Sequence, residues 1–291
     1  MIATGFALPP DEESLTLLAA LIAEEPELYE VAPETLWRQD GEGRLLSNGF
    51  HRQFAELRAR TGRPFVAHGV GFSMGGGAAG ERARRRAWLR RIAADHAVFD
   101  FLWYTDHLGI SAPDGLALTL PLPLPLTGQA AAVVARQLRA LQAIVPDVGV
   151  ENTAHHFVLG DPLDEPAFIA RCLAGRRTHL LLDLHNVYTM AVNLGFDPLA
   201  YVDRLPLGRV IEVHLSGGAE SNPGWLPSGR TVRLDSHDAA IPEEVWSLLD
   251  VVVPRCPNLR AVVLERLERT ADEDDVPLLR EELRRIRRAL R

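Results

Sequence analysis

At 291 residues, with 47% hydrophobic and 24% charged residues, the chain has the composition of a globular protein with a large core. Its length suits one α/β barrel or two ordinary domains. A formal net charge of −8 disfavours sequence-independent binding to a phosphate backbone, so no nucleic-acid partner is expected. Met1–Pro10 carries no basic region ahead of an apolar stretch, and no window approaches ~18 uninterrupted apolar residues. A cytoplasmic protein without membrane spans is expected. The two cysteines, Cys172 and Cys256, are too few for a four-thiolate cluster and read as small buried residues. The chain contains no lysine, which excludes lysine Schiff-base chemistry and a P-loop.

In chain order, Ile2–Leu8 reads as a strand and Asp11–Glu25 as an amphipathic helix, with apolar residues three and four apart. Leu28–Ala32 and Pro64–Phe72 read as strands, Glu81–His96 as a helix and Val98–Tyr104 as a fourth strand. Leu120–Leu126 cannot continue a central strand because of its prolines, and falls in an extended loop. Gly128–Ile144 is helical, Val148–Val150 a strand, Asp164–Leu173 helical, His179–Leu184 and Val210–Leu215 strands, and Ser216–Arg233 a long loop. Pro242–Val252 is a helix, Ala261–Leu264 the eighth strand and Asp274–Leu290 the last helix. Strands alternating with helices predict a parallel sheet, and eight such units predict a closed (β/α)₈ TIM barrel. No linker interrupts the pattern, so residues 1–291 are expected to form a single domain.

Active sites of such barrels lie at the C-terminal strand ends, so the residue closing each apolar run is informative. PFVAHG supplies His68, FLWYTDH supplies His107 and VGVEN supplies Glu151. LLLDLHN supplies Asp183 with His185 and Asn186, VIEVHL supplies His214 and VVLER supplies Glu265. In LDSHD, Asp235 and His237 point to the same side if the segment is extended. Imidazole with carboxylate and no thiolate suits iron, zinc or manganese, and so many donors exceed what one ion needs. On spacing alone, His185 rather than Asn186 shares the parity of Asp183. His51, His96 and His179 read as ordinary histidines, and His155 and His156 as structural residues of a loop. The glycines of Gly69–Gly77 lack the dinucleotide fingerprint and read as a flexible barrel loop.

HGVGFS, YTDHLG, EN, LLDLHNVYTMAVNLGFDP, EVHLSG, DSHD and the terminal LE resemble the multinuclear non-haem iron-dependent oxidative enzymes, over about Glu30 to Glu265. A more distant likeness extends to xylose isomerase-like barrels, endonuclease IV among them. The family resemblance implies metal ligands at His68, His107, Glu151, Asp183, Asn186, His214, Asp235, His237 and Glu265, with His185 orienting a ligand. It implies two or three iron ions in mixed Fe(II)/Fe(III) valence and O₂ as co-substrate. It also implies oxidation of a peptide, commonly at cysteine in a ribosomally made precursor. The roles expected are His68 and His107 on one ion, and Glu151 as a bridge sharing the next with Asp183, His214 and Glu265. Asn186, Asp235 and His237 are expected on the third. Glu151, Asp183 and His214 are the residues expected to serve the chemistry. Capture of the precursor leader is expected to need a co-encoded partner protein. The competing reading is a divalent-metal sugar isomerase or epimerase, ranked lower because the xylose type needs a lysine.

Overall fold

A computed structural model describes residues 1–77, 79–113, 116–118 and 120–291. Strand β1 (Ala3–Ala7) leads into two short helices, α1 (Glu12–Leu17) and α2 (Ala19–Glu24), where one was expected. β2 (Leu28–Val31) is followed by an antiparallel hairpin, β3 (Trp37–Gln39) and β4 (Leu45–Ser47), outside the barrel. Then come α3 (Gly49–Thr61), β5 (Phe65–Gly69), α4 (Arg82–Phe99), β6 (Tyr104–His107) and α5 (Gly128–Gln142). The chain continues as β7 (Val148–Glu151), α6 (Glu165–Cys172), β8 (Thr178–Asp183), α7 (Leu184–Leu194) and α8 (Pro198–Val202). It ends with β9 (Val210–Leu215), α9 (Glu243–Val252), β10 (Ala261–Leu264) and α10 (Asp275–Ala289).

Among the described residues, parallel strands close a barrel in the order β1-β10-β9-β8-β7-β6-β5-β2, the expected architecture. The apolar cluster of Leu28, Val66, Trp103, Ile211, Ala261 and Val263 fills its interior. The fit is tight at Gly5, where a Cβ would stand 2.7 Å from Val263 and 2.8 Å from Leu28. Successive strand residues face opposite sides, so each of these interior positions carries a partner two residues on. That rule takes Leu28 to Glu30, Val66 to His68, Trp103 to Thr105 and His107, and Val263 to Glu265. On β9 a bulge, with Leu180 opposite Val210 and Leu181 opposite Glu212, leaves Ile211 as an extra residue, so that Glu212 and His214 also face in.

Two expectations need correction. The apolar Val98 and Phe99 close α4 instead of opening the fourth strand, because Asp100 ends the helix in a left-handed conformation with φ 51°. The strand is Tyr104–His107, polar because it lines the functional end of the barrel. The segment after Asp183 turns at once into α7, with Asp183 as its N-cap, accepting from Asn186 N at 2.6 Å. His185 and Asn186 therefore sit on a first helical turn, not on a strand. No helix among the described residues is long and apolar enough to cross a membrane.

Candidate metal centre

The residues predicted at the strand ends meet at the C-terminal mouth of the barrel. Glu151 Oε2 lies 2.7 Å from His107 Nε2 and 3.2 Å from His68 Nε2. The other nitrogen of His68 is 3.0 Å from Thr105 Oγ1, which turns Nε2 toward the centre. His214 Nδ1 is 3.1 Å from Glu265 Oε2 and 3.9 Å from Glu151 Oε1. Asp235 Oδ1 lies 2.7 Å from His237 Nε2, whose Nδ1 is 3.6 Å from Glu265 Oε2.

Among the described residues, four overlapping sets have one donor atom per residue within 4.8 Å of the others: His68, Glu151 and His214; Glu30, His214 and Glu265; Asp183, His237 and Glu265; and His185, Asp235 and His237. The Asn186 amide nitrogen donates to Asn152 O at 3.0 Å and to Glu151 Oε1 at 3.3 Å, which sets the side chain beside Glu151 and leaves its oxygen without a hydrogen-bond partner. His185 Nδ1 stands 3.2 Å from Asp235 Oδ1. His155 is buried but joins none of these sets, while His156 is exposed.

Burial and charge oppose each other here. Burial alone lowers the pKa of His107, but the carboxylates of Glu151, Asp106 and Asp235 outweigh it and raise it to about 9. Burial likewise works against charge on His237, and Asp235 and Glu265 bring it to about 10. Asp183 is pushed well above the usual carboxylate range by burial and by Asp235, Glu151 and Glu265. This excess of carboxylate is stabilised by positive charge.

The donor set fits a metal on a second count. Asp183 Oδ2 and Asn186 Oδ1 are buried and lack a hydrogen-bond partner, while Glu151 Oε2 and Glu265 Oε2 face imidazole nitrogens. Buried unpaired polar atoms cost free energy, and oxygens left unpaired beside imidazoles and carboxylates suit ligation by hard or borderline divalent ions.

Two residues outside the expected set support it. Glu30, at the end of β2, accepts from His214 Nε2 at 3.0 Å, and strand parity from Leu28 was the signal that would have found it. Asn152 exchanges two hydrogen bonds of 2.9 Å with the backbone of Asp183, locking the ends of β7 and β8 together. His237 holds a left-handed backbone with φ 49°, which is rare for a residue with a Cβ and concentrates at functional sites.

The family model described as RiPP precursor modification enzyme MbnB/TglH/ChrH matches residues 15–291. The chain belongs to this family. Its resemblance to the multinuclear non-haem iron-dependent oxidative enzymes is thereby borne out. Among relatives of this chain, a UPF0276 protein of Pseudomonas aeruginosa is 34% identical over 241 residues, 82% of this chain and 77% of that protein. A UPF0276 protein of Bordetella pertussis is 35% identical over 221 residues, 74% of this chain and 72% of its own. Endonuclease IV from Thermus thermophilus is similar in structure with a TM-score of 0.55 at 20% identity, covering 98% of this chain and 99% of its own. D-psicose 3-epimerase from Clostridium cellulolyticum has a TM-score of 0.59 at 8% identity, covering 99% of this chain and 97% of its own. At these identities the likeness is one of fold.

Proposed function

We propose that the chain is a cytoplasmic, single-domain, O₂-dependent oxidative enzyme that modifies a ribosomally made precursor peptide at cysteine, using two or three iron ions. The observation that carries the reading is the convergence of buried imidazole and carboxylate donors, with an unpaired amide oxygen beside them, at the barrel mouth of a member of a RiPP precursor modification family. His68, His107, Glu151, Asp183, Asn186, His214, Asp235, His237 and Glu265 would hold the ions. Mixed-valent iron bound there would supply a position for a substrate thiolate and the electrons with which O₂ is activated.

The protein's own contribution is position. Glu151, set between the His68/His107 pair and His214, is the bridging carboxylate of the proposal. Asp183 is held by the α7 backbone through one oxygen and leaves the other free. A cleft of about 270 Å³ beside His68, His237 and Glu265 gives a peptide side chain a way in. Its walls combine the apolar Leu8, Pro9, Pro10 and Val31 with the polar Thr35, Arg266 and Glu268. The epimerase reading draws on fold likeness only and on no feature of this site.

Precursor capture is assigned to a co-encoded partner protein. The test is to incubate the iron-loaded chain with a cysteine-bearing precursor under O₂, with and without that partner, and follow peptide mass. A mass change at cysteine that needs iron and O₂ is expected, faster with the partner. Absence of any change in the iron-loaded complex would refute the activity, and equal rates would remove the partner. Mössbauer spectra of the loaded chain test the iron assignment independently.

A further inference from the structure

We infer that His185 is itself a metal ligand, and that it completes with Asp235 and His237 a two-histidine, one-carboxylate site for a divalent first-row ion. The inference rests on the multinuclear metal reading above and adds one ligand to its outermost ion. His185 Nδ1, Asp235 Oδ1 and His237 Nε2 form a compact face: Asp235 Oδ1 is 3.2 Å from the first nitrogen and 2.7 Å from the second. Such a face, with its remaining positions open, is the ligand pattern of non-haem Fe(II) sites.

The surroundings fix His185 in that pose. Its ring is fully buried. Nε2, on the far edge, is 3.4 Å from Thr189 Oγ1, one helical turn along α7, which orients the ring from behind and leaves Nδ1 facing Asp235. Space for that edge exists because residue 218 is glycine: a Cβ there would stand 3.0 Å from Cε1 and 3.2 Å from Nε2 of the imidazole.

His237 divides its two nitrogens between two neighbourhoods, Nε2 toward Asp235 and Nδ1 toward Glu265. The Nε2 side needs another donor; the Asn186 amide nitrogen turns to Glu151 and Asn152, and His185 is the imidazole that stands beside Asp235. A hydrogen-bonded arrangement alone would ask one oxygen, Asp235 Oδ1, to serve two imidazoles. An ion among the three donors satisfies all of them at once.

The test is zinc-loaded full-length protein, with zinc located by anomalous diffraction and counted by elemental analysis, in the wild type and in His185→Ala. The expected result is a zinc ion bonded to His185 Nδ1 at about 2.1 Å. His185→Ala is expected to lose one zinc equivalent, or to bind it at least tenfold more weakly, while zinc at His68, His107 and Glu151 remains. Zinc on Asp235 and His237 with His185 still hydrogen-bonded to the carboxylate would overturn the inference, as would unchanged count and affinity in His185→Ala. The wild-type map decides the matter even if the variant fails to fold. If the wild type takes up no zinc and no iron, the multinuclear reading falls as well. If it holds metal and oxidises precursor without an ion on His185, this inference alone falls.

Discussion

Glu30 Oε2 stands 3.0 Å from His214 Nε2, while on the opposite edge of the same ring Nδ1 stands 3.1 Å from Glu265 Oε2. A carboxylate accepts and does not donate, so Glu30 keeps the proton on Nε2 and leaves Nδ1 as the atom available to a cation. Replacing Glu30 by Ala leaves a buried N–H unpaired, at a cost of about 1–3 kcal/mol, and frees the ring to turn. Glu30→Ala is expected to weaken metal binding by roughly 10–100-fold, and Glu30→Gln, whose amide oxygen still accepts, by less. Titration against a competing chelator measures both. Equal affinities in wild type and Glu30→Ala would remove Glu30 from this role.

Metal should also stabilise the fold, because it relieves the clustering of Glu151, Asp183, Asp235 and Glu265. An ion at 100 times its Kd adds about 2.7 kcal/mol, which in a chain of this size raises Tm by about 4 °C. Scanning calorimetry with chelator and with added Fe(II) under nitrogen should show that rise. Glu151→Ala is expected to fold, since the barrel core does not depend on a carboxylate at its rim, but to show a much smaller rise. A full rise in Glu151→Ala would argue against its place in the centre.

Strand parity made much of this architecture legible in the sequence. Glu151 and Asp183 close their strands, His68, His214 and Glu265 lie within one residue of a strand's C-terminal end, and the barrel brings the five together. Where the pattern misled, a local backbone feature intervened. Phe99 is apolar because the helix end packs it on the core, Val98 beside it stays exposed, and the true strand is masked by the polar residues it presents to the site. His185 follows Asp183 on a helix, because the Asp183 side chain caps Asn186 N and starts α7 there. The β3–β4 hairpin was illegible because its three-residue strands are too short for any period to show. Glu30 was legible in principle, two residues beyond the interior Leu28, but reads as an ordinary surface glutamate when residues are sought by motif.

The cysteines are expected to be spectators. Cys172 and Cys256 are free and buried, and burial pushes their thiols up to about 12 and about 11. The thiolate is the reactive form, so neither should act as nucleophile or ligand at neutral pH. Native protein should label slowly with a thiol reagent, and the double Cys→Ser protein should retain both metal and activity. Loss of activity in that protein with its metal retained would contradict this.

Glu165 gives the protein a pH dependence that can be isolated. Its carboxyl is buried at the start of α6 and accepts from the Tyr201 hydroxyl at 2.7 Å, and burial outweighs that bond to raise its pKa from 4.5 to about 7. Between those values the folded protein holds a proton that the unfolded chain has released. Stability from this group is therefore fully present below about pH 4.5 and is lost as pH rises through about 7. At ~1.4 kcal/mol per pH unit the loss is about 3 kcal/mol at most. Glu165→Gln keeps an acceptor for Tyr201 but cannot ionise. It is expected to match the protonated wild type near pH 5 and to exceed the wild type in stability at pH 8. Chelator-treated protein should be used, so that metal uptake does not add its own pH dependence. Denaturant unfolding of both proteins at the two pH values gives the difference, in which Glu282 and other titrating groups cancel. A wild-type and a Glu165→Gln curve that run parallel from pH 5 to pH 8 would show that the Glu165 proton contributes nothing.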